Sequence, residues 1–118
     1  MSSLVRVSTG TEALTQTYAA IALALAWTSS ELGLITLGLT GVVGAPTKVT
    51  WYLSTDAAGD EPITPVQTDT LVGSSLPGLS GVARTILVPF NGATIYAHAL
   101  LDAGSATGIA VLTYTQVA

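Results

Sequence analysis

The chain contains no cysteine and carries little charge of either sign. Without cysteine it can form no disulfide, no thiolate zinc site and no cysteine nucleophile. Only 8% of its 118 residues are charged, with seven acidic and three basic residues giving a formal net charge of −4. Soluble domains usually carry about 25% charged residues. Serine, threonine and glycine, or another protein, must therefore cover the surface.

The shortage of cations argues against direct binding to nucleic acid. Proteins that bind DNA or RNA draw much of their affinity from lysine and arginine residues that neutralise phosphates. The only cations here are Arg6, Lys48 and Arg84, which are isolated from one another and form no basic stripe. We therefore expect no direct nucleic-acid partner.

Long apolar runs are also absent, although the mean hydropathy is +0.63. The most apolar stretch, YAAIALALAW at 18–27, has ten residues, whereas a membrane-spanning helix needs about 20. The first residues lack the basic segment and apolar run of a signal peptide. We expect no membrane partner.

The hydrophobic pattern has a period of two, which is typical of β-strands. Large residues alternate with alanines in 18–27, and the clearest inside–outside alternation covers 48–54. Clusters of glycine, proline and aspartate separate the strands at 41–46, 56–62, 73–81 and 102–108. Seven or eight short strands without a helix predict an all-β, single-domain, two-sheet β-sandwich, either jelly-roll or immunoglobulin-like.

Several local signals refine this organisation. Asn91-Gly92 favours a type I′ turn, so the flanking segments are predicted to form a hairpin. Pro65 predicts an edge strand or an irregular strand start. Residues 1–17 are predicted to be an N-terminal arm or the first edge strand, and residues 18–118 to be the β-sandwich domain.

No residue pattern predicts an active site. His98 is the only histidine, and it lies in a strand pattern that places Tyr96 and Leu100 on the same face. The chain has no nucleophile elbow and no phosphate-binding glycine motif. The acidic residues at 56–61 lack EF-hand spacing and are typical of a solvated turn, although calcium binding there stays open. We expect no enzyme, no cofactor and no metal.

Two sets of residues are candidates for contact with partners. If 18–27 is extended, its alanines form a flat apolar face that suits another sheet or subunit, comprising Ala20, Ala22, Ala24 and Ala26. Three tyrosines fall on faces opposite to those of the expected core residues and are candidates for a ligand platform, namely Tyr52, Tyr96 and Tyr114.

Two segments carry a resemblance to a known class of protein. The segments KVTWYLSTDAAGDEPITP and TIYAHALLDAGSATGIAVLTYTQ resemble small all-β structural proteins of tailed bacteriophage virions. Such proteins are cysteine-free, rich in threonine, glycine and alanine, and poor in charge. The resemblance covers about half of the chain and has no diagnostic motif, so it assigns no functional residue.

The resemblance implies a non-enzymatic virion structural protein, most of all a capsid decoration or cement subunit that stabilises a phage head. Its expected partners are other virion proteins, with the major capsid protein first, and further copies of itself, with a trimer favoured. Its expected location is the virion, assembled in the host cytoplasm. The alternative is a carbohydrate- or receptor-binding β-sandwich module in a head fibre or tail component.

Overall fold

The computed structural model describes residues 3–24, 32–73, 82–87 and 94–117, and it contains only β-strands and loops within these ranges. No helix long and apolar enough to cross a membrane occurs in this part of the chain. The eight strands are β1 (Ser3–Leu14), β2 (Ala19–Ala24), β3 (Leu32–Val43), β4 (Lys48–Ser54), β5 (Gln67–Thr70), β6 (Val82–Leu87), β7 (Thr94–Leu101) and β8 (Ser105–Val117).

The strands form two antiparallel four-stranded sheets. Sheet A has the order β1-β8-β3-β6, and sheet B has the order β2-β7-β4-β5. β1 pairs with β8, β2 with β7, β3 with β6 and β4 with β5, as in one long hairpin. This hairpin is rolled up so that β3 also pairs with β8, and β4 with β7. The predicted two-sheet sandwich is confirmed, and its topology is the jelly roll.

Alternate residues of both sheets meet in one core. The predicted alternation in β4 is confirmed, because Val49, Trp51 and Leu53 are buried. The Trp51 indole N–H donates to Asp69 Oδ2 on the edge strand β5 at 2.8 Å, so this buried ring keeps a polar partner. Each fully buried large side chain contributes roughly 1.5–3 kcal/mol of transfer free energy.

β1 belongs to the sandwich as an edge strand of sheet A and lies against β2 of sheet B. Gly10 makes this approach possible. A Cβ at Gly10 would overlap the carbonyl oxygen of Ala22 and lie 2.9 Å from Ile21 Cγ2. β1 therefore covers part of the free edge of β2. This cover hinders pairing of β2 with a strand of another chain.

Three local predictions were wrong. β6 and β7 form no hairpin, because β6 pairs in sheet A and β7 pairs in sheet B; Asn91-Gly92 itself lies outside the described residues. The turn predicted at 41–46 is shorter, because β3 continues through an irregularity after Thr40 to Val43. The turn predicted at 102–108 ends before Ser105, and Gly108 lies inside β8, where a Cβ would be 2.8 Å from Leu14 Cδ1.

Asp102 follows β7 directly and ties its end to the start of β4. Its Oδ1 accepts hydrogen bonds from the backbone N–H groups of Thr47, at 2.8 Å, and Lys48, at 3.1 Å. Its Oδ2 accepts a hydrogen bond from the Thr47 hydroxyl. The Thr47 hydroxyl and then these two N–H groups lower the pKa of Asp102 to about 2.

Asp102→Asn should lower the free energy of unfolding at neutral pH. It should also make this free energy depend less on pH in the acid range. The folded-state pKa of about 2 lies below the ordinary value of 3.8, so the carboxylate stabilises the fold fully above about pH 4. This stabilisation is lost as the pH falls from 4 towards 2. Urea midpoints measured from pH 2 to pH 7 check this. Asp60→Asn, in an exposed loop, is the control, and equal acid profiles for wild type and Asp102→Asn would contradict the prediction.

Gly10→Ala should lower the free energy of unfolding by about 1–3 kcal/mol, because the added methyl group forces β1 away from the backbone of β2. Denaturant unfolding measures this change. Thr11→Val is the control, because Thr11 is exposed on the same strand and such a substitution should change stability by about 0.5 kcal/mol or less. Equal stabilities for the two variants would show that the sheets do not meet closely at Gly10.

Candidate interaction surfaces

The outer side of sheet B carries a cluster of aromatic rings, here called the tyrosine cluster, formed by Tyr18, Tyr52, Tyr96 and His98. Tyr52 and His98 are paired residues of β4 and β7, and their rings stack with centroids 4.8 Å apart at 18°. Tyr18 meets Tyr52 edge-on at 5.2 Å, and Tyr96 lies 6.3 Å from His98. Ring contacts thus hold the cluster together, and the Tyr52–His98 stack joins β4 to β7.

His98 is 3% exposed although it lies on an outer face. Its Nε2 is 2.6 Å from Ser54 Oγ and 3.2 Å from the carbonyl oxygen of Asp56. The Ser54 hydroxyl donates to this same carbonyl at 2.6 Å. Because the Ser54 hydroxyl proton points to the Asp56 carbonyl, Ser54 Oγ acts as an acceptor towards His98. The proton between the two side chains is therefore on Nε2, which donates to Ser54 Oγ. This nitrogen therefore does not act as a base towards Ser54, and the pair holds the chain in place.

The loop between β4 and β5 covers this part of sheet B. The Asp56 carboxylate accepts hydrogen bonds from the backbone N–H groups of Asp60, at 3.0 Å, and Glu61, at 2.9 Å. These bonds, that from Asp60 first, lower the pKa of Asp56. The Tyr52 hydroxyl donates to the Gly59 carbonyl at 3.1 Å. Burial, followed by nearby Tyr18 and acidic groups, raises the pKa of Tyr52.

Metal binding gains no support from this loop. The Asp56 carboxylate serves the loop's own backbone, as expected for a polar turn. Across the ranges that the structure describes, no three histidine, cysteine or acidic side chains are grouped as metal ligands.

The predicted alanine face exists in part. β2 is extended, with Ile21 and Leu23 buried in the core. On its outer side Ala20 is half-buried, whereas Ala22 and Ala24 are exposed; Ala26 lies outside the described residues. We call Ala20, Ala22 and Ala24 the alanine row, which is one strand wide.

The predicted tyrosine platform loses one member. Tyr52 and Tyr96 share the outer side of sheet B, but Tyr114 is 3% exposed and belongs to the core of the sandwich. The prediction for Tyr114 was wrong because small residues of β8 point inward, where Gly108 packs against Leu14 and Ile21. Ile109 and Val111 lie on the outer side of β8, whereas Leu112 shares the inner side with Tyr114, so residue size alone did not indicate which side is buried.

Sequence reasoning missed an uncharged surface that spans three strands. The sheet A face, here defined as the outer side of β1, β3 and the part of β8 from Thr107 to Thr113, contains only threonine, glycine and aliphatic residues among its described side chains. β1 and β3 both pair with β8, which aligns their positions. The face comprises Val7, Thr9, Thr11, Ala13, Leu34, Thr36, Gly38, Thr40, Thr107, Ile109, Val111 and Thr113.

The comparisons with known proteins identify no function for the chain. No protein-family model and no curated protein matches the chain. Among solved structures, it is similar to a protein of Bacillus endospore appendages, which form a novel family of disulfide-linked pili. The TM-score is 0.48 at 14% identity, covering 98% of this chain and 88% of that chain. This similarity assigns no function, and the jelly-roll assignment rests on strand order.

Ser54→Ala should lower the free energy of unfolding by about 1–3 kcal/mol, because it removes a buried hydroxyl that bonds to both His98 and the Asp56 carbonyl. Thermal and urea unfolding measure the change. The control is Thr50→Val, which removes a hydroxyl 3.1 Å from Thr68 Oγ1 at the exposed surface and should change stability by about 0.5 kcal/mol or less. Similar losses in both variants would contradict a structural role for the Ser54–His98 pair.

Proposed function

We propose that the chain is a non-enzymatic structural protein that acts through protein–protein contacts in a larger assembly. The observation that carries this proposal is the sheet A face, which spans three strands without one charged residue. Monomeric proteins rarely expose large apolar patches, and such patches commonly mark interfaces; on this face Val7 and Leu34 are exposed. The low charge of the whole chain supports the same interpretation.

The polar side chains of sheet B support a role without catalysis. The buried Ser54–His98 pair and the Asp56 carboxylate hold the loop that covers the sheet. A general base needs a free acceptor within reach of a substrate proton. The bonds made by Nε2 of His98 direct this nitrogen to the chain's own atoms.

Within this class, we propose a capsid decoration subunit of a tailed bacteriophage, bound to the major capsid protein and located in the virion. The resemblance of 48–65 and 94–116 to small virion structural proteins supports this choice. Jelly rolls are also common among viral capsid domains. The jelly-roll fold by itself does not identify the function, because the same architecture occurs in proteins with unrelated functions.

The alternative is a carbohydrate- or receptor-binding module of a head fibre or tail component. The tyrosine cluster favours it, because Tyr18 is 40% exposed and aromatic rings with polar tips suit mixed surfaces. Its weakness is that the β4–β5 loop is bonded to Tyr52 and covers His98. The open part of such a platform reduces to Tyr18 and Tyr96.

Quantitative mass spectrometry of purified virions from the encoding phage tests the proposed function. We expect the chain at a fixed ratio to the major capsid protein and in many copies per particle, because a decoration subunit follows the lattice symmetry. Absence from the particle would contradict the proposal. Absence combined with glycan binding that is lost in Tyr18→Ala would favour the alternative.

A further inference from the structure

We infer that the sheet A face binds the sheet A face of a second copy of this chain, across a two-fold axis. This inference rests on the proposed function and names one partner of the assembly. It differs from the sequence-based expectation, which placed the interface on Ala20, Ala22, Ala24 and Ala26 and favoured a trimer.

The face combines exposed aliphatic groups with short hydroxyl side chains. Val7 at one corner is 62% exposed and Leu34 is 45% exposed. In the paired rows, Thr113 stands between these two residues, and Val111 stands between Thr9 and Thr36. Such a surface loses little on desolvation, because threonine hydroxyls find new partners and no charge is buried.

Five of the seven acidic residues belong to sheet B or its loops; of the other two, Glu12 lies in β1 and Glu31 lies outside the described residues. Asp56, Asp60, Glu61, Asp69 and Asp102 all belong to β5 or to the loops that leave β4 and β7, which are elements of sheet B. Two copies joined through sheet A therefore keep the acidic β4–β5 loops, with Asp56, Asp60 and Glu61, on the far side of each copy from the contact. This separation reduces the repulsion between two chains of net charge −4.

The strand edges are less suited to self-association than the face. Charged residues occur in three of the four edge strands, with Arg6 and Glu12 in β1, Arg84 in β6 and Asp69 in β5. Charges on edge strands oppose pairing with a further strand. Glu12 pairs with the buried Gly108. Glu12 is therefore on the side of β1 opposite to the sheet A face.

The area of sheet A is close to that needed for a stable dimer. From the usual spacings of about 3.3 Å per residue and 4.8 Å between strands, the three strands of the sheet A face cover roughly 590 Å² in projection, and the four strands of sheet A cover roughly 700 Å². Stable protein–protein interfaces bury about 800 Å² per partner. Side-chain relief adds to the projected area, so sheet A as a whole comes close to the required size.

Sheet B offers a poorer surface. Its outer side is partly covered by the β4–β5 loop and ends at the exposed Lys48. The alanine row is a single strand wide, which is far narrower than the sheet A face. A flat face that binds itself is an isologous contact, which closes as a dimer and not as a trimer.

Sedimentation equilibrium and light scattering on matched lysine variants test this inference. Thr9→Lys and Leu34→Lys introduce a charge at exposed positions of the sheet A face. Thr68→Lys introduces the same charge at an exposed position of the outer side of sheet B, and Ala22→Lys does so on the alanine row. Circular dichroism and thermal unfolding confirm that each variant is folded.

We expect the wild type, Thr68→Lys and Ala22→Lys to be dimers, and both sheet A variants to dissociate with a dimer Kd raised at least about tenfold, because like charges would face each other. Added salt should leave the wild-type dimer intact or tighten it. A dimer lost only in Ala22→Lys would overturn the inference and leave the proposed function standing. A wild-type monomer or trimer would also overturn it, whereas the virion ratio tests the proposed function independently.

Discussion

The close approach of the two sheets is the constraint on which the other features depend. At Gly10 and Gly108 a side chain would meet β2 or the Leu14 side chain, so that small residues point inward from sheet A at these positions. On β8, Thr107, Ile109, Val111 and Thr113 consequently lie on the outer side, while Leu112 and Tyr114 fill the interior. The smooth, uncharged sheet A face is therefore a consequence of how the interior is packed, as well as a candidate for contact with a partner.

Charge and polarity are divided between the two sheets. Sheet B holds the buried Ser54–His98 pair, a loop capped by the Asp56 carboxylate and a strand connection fixed by Asp102. These interactions stabilise the jelly roll and place five of the seven acidic residues on β5 or in the loops that leave β4 and β7. The outer side of sheet A, over the described side chains of β1, β3 and β8, carries no charged residue.

The period-two pattern was sufficient to predict the fold class. Core residues such as Ile21, Leu23 and Trp51 are separated by single residues that face outward. It could not predict which strands pair, since the jelly roll joins β1 to β8 across almost the whole sequence. The Asn91-Gly92 signal is local and says nothing about sheet membership. The inward direction of Tyr114, the Ser54–His98 contact and the sheet A face all depend on long-range register, so they required coordinates.

Pulsed electron paramagnetic resonance on a spin-labelled Thr68→Cys protein tests the central claim most directly, because the chain has no other cysteine. Thr68 lies on the outer side of sheet B, so the label leaves the sheet A face intact. Packed sheets are about 10 Å apart, and a dimer joined through sheet A therefore separates the two labels by at least about 30 Å. A distance below about 20 Å would place the sheet B sides together. That result, or the absence of any distance between copies, would contradict association through sheet A.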